Sequence, residues 1–433
     1  MQTKLKFPST FEIALYLSLL VFLLALVFTK PIGDNPVIYG LQLLSFWKSG
    51  FWELLEFTMQ MVLILVLGHT LALSKPIDNG IRKLSGMVKS NLHAVLLTGL
   101  MALAGGYINW GFGLVLGAIL ARRIGESAIE KNLFINYSLV GASGYLGMLV
   151  WHGGLSGSAT LKVAEDSHFL FDRIGVIPVN LTIFSVFNSV INLVLILTLI
   201  LLLVFLSTQN WKQIPIKMNG NQEEHTVESS DKLGWVMGTI IFISVFFEIF
   251  VSDGKKWSFF DLNFINFLLL GTGFLFYGSL KTFVRTLAFA VKGATDIIIQ
   301  FPFYAGILGI MKYSGLLVLI AEYMVARSTP ETFPLLSFIS AAMVNFFIPS
   351  GGGQWAIQGP VIIEAAIKMG LDIPSMILVF AYGDQVSNML QPFWALPLLS
   401  ITGIPAKEIF KYTVYFFFTA FLVFGLGVWI GFS

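Results

Sequence analysis

Apolar runs long enough to span a membrane occur near 11–29, 52–74, 176–207, 234–251, 262–280, 293–311 and 407–432. A helix needs about 20 apolar residues to cross a ~30 Å hydrocarbon core, so each run predicts a spanning helix. Four further blocks, 92–121, 133–164, 332–369 and 373–402, are apolar overall but interrupted by glycine, proline and polar residues. The one long polar stretch, 208–233, divides the chain into halves, 1–207 and 234–433, and predicts a cytoplasmic linker.

The interruptions come in matched pairs. Block 92–121 is broken by Gly105-Gly106-Tyr107-Ile108-Asn109-Trp110-Gly111-Phe112-Gly113, and block 332–369 by Pro349-Ser350-Gly351-Gly352-Gly353-Gln354-Trp355. The arms leading in, His93–Tyr107 and Phe333–Phe347, are about fifteen residues each, roughly 22 Å as helix. That is too short to cross, so each block predicts a re-entrant helical hairpin, the second with its descending arm starting near Gln354 or Trp355. The block after each hairpin is broken too, around Gly141–Gly147 and Trp151–Ser158 in the first half. In the second half the breaks fall at Tyr382–Asn388 and Gln391–Trp394. Asn109 to Trp151 is 42 positions, as is Ser350 to Pro392.

In hydrocarbon, non-helical backbone survives only where protein buries it or where it lines a cavity. Discontinuous helices at corresponding places in two halves point to the binding site of a secondary transporter. The expected fold is an all-α polytopic membrane protein made of two inverted-topology repeats. Each repeat holds a re-entrant hairpin and a discontinuous transmembrane helix.

Composition narrows the classes. The chain has 433 residues, 56% hydrophobic and 12% charged, with mean hydropathy +0.82. Soluble domains carry about 25% charged residues, so a soluble reading is set aside. No cysteine is present, which removes disulfides and thiolate chemistry. A net charge of +2 gives no footing for nucleic acid. Lys4 and Lys6 precede an apolar run longer than a cleavable signal, which predicts an uncleaved first transmembrane helix. With a cytoplasmic N-terminus and both hairpins re-entrant, the inside loops hold 17 of the 26 Lys and Arg residues, the expected positive-inside bias.

A buried carboxylate must have its lost hydration replaced. The amides of Ser350, Gly351, Gly352 and Gly353 at a helix start supply donors without an arginine, and Ser350 and Gln354 add side chains. Asn109, Trp110 and Gly111 form the opposing tip. Trp110, Trp355, Phe393 and Trp394 are candidates for an apolar wall, each equally readable as core packing. Asp384, inside a broken helix, reads as a cation ligand, a proton carrier or a cap for the break. His152 reads as a substrate contact, a proton carrier or a hydrogen-bonded structural histidine. Ser143, Asn109, Ser387, Asn388 and Asp384 offer the all-oxygen ligands that sodium takes, so sodium and proton coupling both fit. Asp296 reads as a helix cap, Glu364 with Lys368 as a solvated pair, and Arg122 and Arg123 as interfacial anchors. No cofactor is expected.

Enzyme readings fail on missing partners. Ala381-Tyr382-Gly383-Asp384 has no second aspartate after a tyrosine to share a proton. His152 with Ser156 or Ser158 lacks an orienting carboxylate. No phosphate-binding loop is present. A passive anion channel remains a rival, distinguished by absent saturation and counterflow.

Phe347 through Pro360, Asn109-Trp110-Gly111-Phe112-Gly113, Trp151 through Ser158, and Gly383-Asp384-Gln385 with Asn388 together resemble the short-chain fatty acid transporter (AtoE) family. The resemblance spans essentially the whole chain. It implies uptake of short monocarboxylates such as butyrate or acetoacetate across a bacterial inner membrane. It also implies kinship with a larger ion-transporter superfamily, whose hairpins and unwound helices work in an elevator-type transport domain moving against a scaffold, commonly in homodimers. A dicarboxylate or other organic-anion symporter of that superfamily is the alternative substrate reading. Di-anions call for positive charge at the hairpin tips, and the sequence places none there.

Overall fold

The computed structural model describes residues 10–53, 55–164, 168, 170–209, 232–251 and 262–433. Among the described residues the regular structure is all helical. The first half runs α1 (Thr10–Phe28), α2 (Pro36–Glu53), α3 (Leu55–Ala72), α4 (Lys75–Gly86), α5 (Asn91–Ile108) and α6 (Trp110–Glu130). It continues through α7 (Tyr137–Ser143), a 3₁₀ turn at Leu146–Leu149, α8 (Ser158–Lys162), α9 (Phe171–Ile174) and α10 (Val186–Thr208). The second half has α11 (Lys232–Val251), α12 (Leu262–Tyr277), α13 (Leu280–Val291), α14 (Thr295–Tyr313), α15 (Leu316–Val325), α16 (Phe333–Asn345) and α17 (Gly351–Met369). It ends with α18 (Ile373–Ser387), a 3₁₀ turn at Asn388–Leu390, α19 (Pro392–Thr402) and α20 (Ala406–Gly431).

One order of elements recurs in both halves. A bent pair comes first, 36–53 with 58–71 at 41° and 280–294 with 298–313 at 48°. A short helix follows, then a hairpin, a broken element and a long apolar helix (α10, α20). Of the single helices, α5, α10 and α20 are long and apolar enough to cross a membrane. The linker expected at 208–233 falls almost entirely outside the described residues, between the end of α10 and the start of α11.

Both blocks fold as helix–break–helix units, with breaks narrower than the glycine runs suggest. In the first, only Asn109 leaves the helix (φ −155°, ψ 127°). Gly105, Gly106, Gly111 and Gly113 stay helical because they serve close approach. A Cβ on Gly106 would lie 2.4 Å from Gly147, and one on Gly113 would lie 2.2 Å from the Gly106 nitrogen. The arm α5 has 18 residues, more than the fifteen expected. In the second hairpin the chain leaves the helix over 346–350, and Gly351–Gly353 form the first turn of α17 rather than the break itself. Glycine's helical cost is modest, about 1 kcal/mol per residue, so a run of three is compatible with a capped helix start.

The described helices pack as two connected groups. One contains α1, α2, α3 and α11–α14, and is held by a crossing of α2 over α14 so tight that a Cβ on Gly50 would sit 2.4 Å from Gly309 Cα. The other gathers α5, α7, α10, α16, α18 and α20 around both broken elements. Helix α6 touches both groups, packing on α5 and on α3, and α15 and α19 also bridge them through α14.

Candidate functional site

Each hairpin tip is built by a cap. Asn109 Oδ1 accepts from the N–H groups of Gly111 (3.0 Å) and Phe112 (3.1 Å), which starts α6. Ser156 Oγ accepts from Trp110 N–H at 3.0 Å, and Leu155 N–H donates to Tyr107 O at 2.7 Å. The first tip is therefore stitched to the broken element that follows it. At the second tip Ser350 Oγ caps α17 by accepting from Gly353 N–H at 3.2 Å, while Ser350 N–H donates to Ile348 O. Of the four amides expected to cradle an anion, those of Gly351 and Gly352 remain free of intrahelical acceptors, as at any helix start.

The broken elements of the two halves bind each other. His152 N–H donates to Gln385 Oε1 (2.9 Å), and Tyr145 OH donates to Asn388 O (2.7 Å). The backbone N–H of Ala159 donates to His152 Nε2 at 3.0 Å. The ring proton therefore belongs on Nδ1, which donates to Asp384 Oδ2 at 2.7 Å. His152 thus has the orienting carboxylate expected to be missing, but its Nε2 is taken by the Ala159 N–H. His152 and Asp384 are buried, and His152 stacks on Trp151 with ring centroids 4.4 Å apart.

On the hairpin tips and broken elements, buried polar atoms without a hydrogen-bond partner are Asn109 Nδ2, Trp151 Nε1, Gln354 Oε1, Asp384 Oδ1, Gln385 Nε2 and Asn388 Nδ2. Buried polar groups are normally paired, and each exception costs about 1–3 kcal/mol. Asn109 and Asn388 sit at helix breaks and Trp151 in the first broken element, whereas Gln354, Asp384 and Gln385 lie within α17 and α18, since α18 continues through the break expected at Tyr382–Asn388. Turning the Asn and Gln amides end for end can relieve four of the six, which leaves Trp151 Nε1 and Asp384 Oδ1 as the atoms only another group can pair.

The expected site residues do not all meet. Ser387, Asn388 and the Asp384 carbonyl converge on Asn345 of α16, a residue the sequence reading missed. Asn345 Nδ2 lies 2.6 Å from Asp384 O, 2.9 Å from Ser387 Oγ and 2.8 Å from Asn388 Oδ1. An amide carries two hydrogens, so three acceptors exceed what it can satisfy. Ser143 stands apart, its hydroxyl donating to Leu139 O at 2.8 Å, and Asn109's oxygen is spent on its cap. Gln354 gives its amide hydrogens to Ala341 O and Gln358 Oε1, both at 2.9 Å, so its free atom is an acceptor, not the donor expected. Trp110 and Trp394 do share a wall (4.9 Å), with Trp151 at 6.2 and 6.3 Å from them. Trp355 packs elsewhere, on Phe380 at 4.9 Å. No sequence signal marks Asn345, because its partners come from other helices, and Trp151 stands in the Trp151–Ser158 motif without a binding role being readable there.

An apolar, all-helical chain whose polar groups converge on buried helix breaks has the construction of a membrane transporter. The family described as "Short chain fatty acid transporter" matches residues 2–430. Two relatives carry the name "Putative short-chain fatty acid transporter". The Escherichia coli (strain K12) protein is 33% identical over 437 residues, covering 97% of this chain and 96% of that protein. The Haemophilus influenzae protein is 33% identical over 407 residues, covering 89% of each. The chain belongs to the short chain fatty acid transporter family. Among solved structures, the YdaH transporter of Alcanivorax borkumensis is 15% identical, with 98% of this chain and 99% of that chain covered at a TM-score of 0.47.

Proposed function

We propose that this protein is a cation-coupled secondary transporter that carries short monocarboxylates, of the butyrate and acetoacetate kind, across a bacterial inner membrane by alternating access. The observation that carries this reading is the buried His152–Asp384 contact that joins the two broken elements, with Trp151 Nε1 and Asp384 Oδ1 unpaired beside it. The start of α17 presents the amides of Gly351 and Gly352 with a positive dipole end, a fitting seat for one carboxylate. Trp110 and Trp394 supply apolar surface for a short alkyl tail. The oxygens of Asp384, Ser387 and Asn388 suit a small hard cation, and the His152–Asp384 pair suits a proton path. In this reading the two halves are inverted repeats, the N-terminus and the linker are cytoplasmic, and the protein works as a homodimer.

Uptake of labelled butyrate and acetoacetate into proteoliposomes, with sodium and proton gradients imposed separately, tests it. The expected result is saturable accumulation driven by one gradient, with counterflow. Non-saturating flux without counterflow points to a channel, and preference for succinate over butyrate to a dicarboxylate carrier. Either result rejects the proposal.

A further inference from the structure

Trp151 occupies a position that packing alone does not explain. It is 1% exposed, and its indole nitrogen has no hydrogen-bond partner. Asparagine and glutamine amides can be turned end for end to relieve such a conflict, but an indole N–H is a donor only. Leaving it unpaired away from water is a standing cost that phenylalanine at the same place does not incur.

The ring is also aimed. A Cβ built on Gly351 would fall 2.8 Å from Trp151 Cη2 and 3.0 Å from His152 Cε1. The indole can therefore reach the start of α17 only because residue 351 has no side chain. Cη2 is the corner of the ring that meets Gly351, with Ser158 Oγ next to it at 3.3 Å from the same Cβ position, and Nε1 lies further back along the long edge that ends at this corner. The free amides of Gly351 and Gly352 belong to the same helix start, and Gly352 is open, its Cβ position no nearer than 3.8 Å to Ser158 Cβ. On its face Trp151 is held by His152 (4.4 Å, 20° between planes), which is itself fixed by Asp384 and Ala159.

We infer that Trp151 binds the substrate's carboxylate through its indole N–H, completing a three-donor seat with the amides of Gly351 and Gly352. The inference rests on the monocarboxylate reading above and adds the residue that orients the anion. The seat has one orientation: the carboxylate meets the α17 start, and the tail lies along Trp110 and Trp394. Selection is then for a carboxylate over its uncharged amide, because a neutral carbonyl draws less from three donors than a charged group does.

Trp151→Phe keeps the aromatic stack and removes the donor. In proteoliposomes this variant is expected to raise the KM for butyrate by about ten- to a hundred-fold, with kcat changed little and the melting temperature close to wild type. Its preference for butyrate over butyramide as a competitor is expected to shrink by a similar factor. A residue that only packs predicts near-normal KM and unchanged preference in Trp151→Phe, and that result overturns the inference. A second measurement does not depend on the variant's transport. In ¹⁵N-tryptophan-labelled wild type, the indole resonance missing from Trp151→Phe is expected to shift with butyrate and not with butyramide. Uptake of butyrate with that resonance unmoved overturns the role of Trp151 alone. A wild type that neither takes up nor responds to any two- to six-carbon monocarboxylate overturns it together with the functional reading.

Discussion

At Gly351 and Gly352 two adjacent residues of one type do different work. A methyl group at 351 meets Trp151 at 2.8 Å and His152 at 3.0 Å, whereas one at 352 meets nothing nearer than 3.8 Å. Gly351→Ala is expected to push Trp151 and His152 off the start of α17 and lower uptake by about ten-fold or more, in line with a ~1–3 kcal/mol overpacking penalty. Gly352→Ala is expected to fold and transport nearly normally. Gly352→Val, with its branches in the open space before the amides, is expected to insert and melt like wild type yet fail in uptake. Equal uptake by the alanine pair contradicts this account. His152 gives a second contrast. Glutamine can both donate to Asp384 and accept from Ala159, so His152→Gln is expected to retain more butyrate uptake than His152→Ala. Equal loss in both points instead to a role only the imidazole can fill. The caps at Asn109 and Ser350 were not read from the chain, where Asn109 stood as a substrate or sodium contact and Ser350 as an anion donor, although an Asx or serine ahead of a helical run has a local partner. Trp151's role had no such local signal, because its neighbour Gly351 is 200 positions away.

At the scale of elements, the hairpins and broken helices were legible because short apolar arms and polar interruptions are local properties. Where each helix actually breaks was not. Gly105, Gly106 and Gly113 look like breakers in one dimension, yet they remain helical as contact points between backbones. Helices α2 and α13 also escaped notice, since Lys48 and Ser49 or Lys281 and Arg285 interrupt their apolar pattern. Asn345 shows how an element is fixed by partners that sequence order hides. Its amide ties the end of α16 to three oxygens at the end of α18, and Gln391 Nε2 donates back to its carbonyl. Asn345→Leu leaves Asn388 Oδ1 and Ser387 Oγ without their donor, at about 1–3 kcal/mol for each that stays dry, while Asp384 O keeps the Ser387 hydroxyl. A clear fall in melting temperature is expected, together with loss of the ion dependence of uptake. A variant as stable as wild type, with its ion response intact, removes Asn345 from both roles.

Across the whole molecule, α6 is where relative motion must show itself if the site changes sides. Its start forms the first hairpin tip, yet along its length it packs on α3, a member of the other helix group. Gly68 of α3 and Val115 of α6 face each other there: a Cβ on Gly68 would lie 3.6 Å from Val115 Cβ. That separation falls within the ~3.5–4.5 Å that a disulfide spans. The chain contains no native cysteine, so a Gly68→Cys/Val115→Cys pair can be oxidised without competing thiols. If transport carries α6 past α3, oxidation should stop uptake and reductant should restore it, while each single variant works in both conditions. If the hairpin tips alone open and close around a fixed α6, the cross-linked protein keeps transporting. Full activity in the oxidised pair, with the cross-link verified by mass spectrometry, therefore excludes a moving body that includes α6 and confines the motion to the tips.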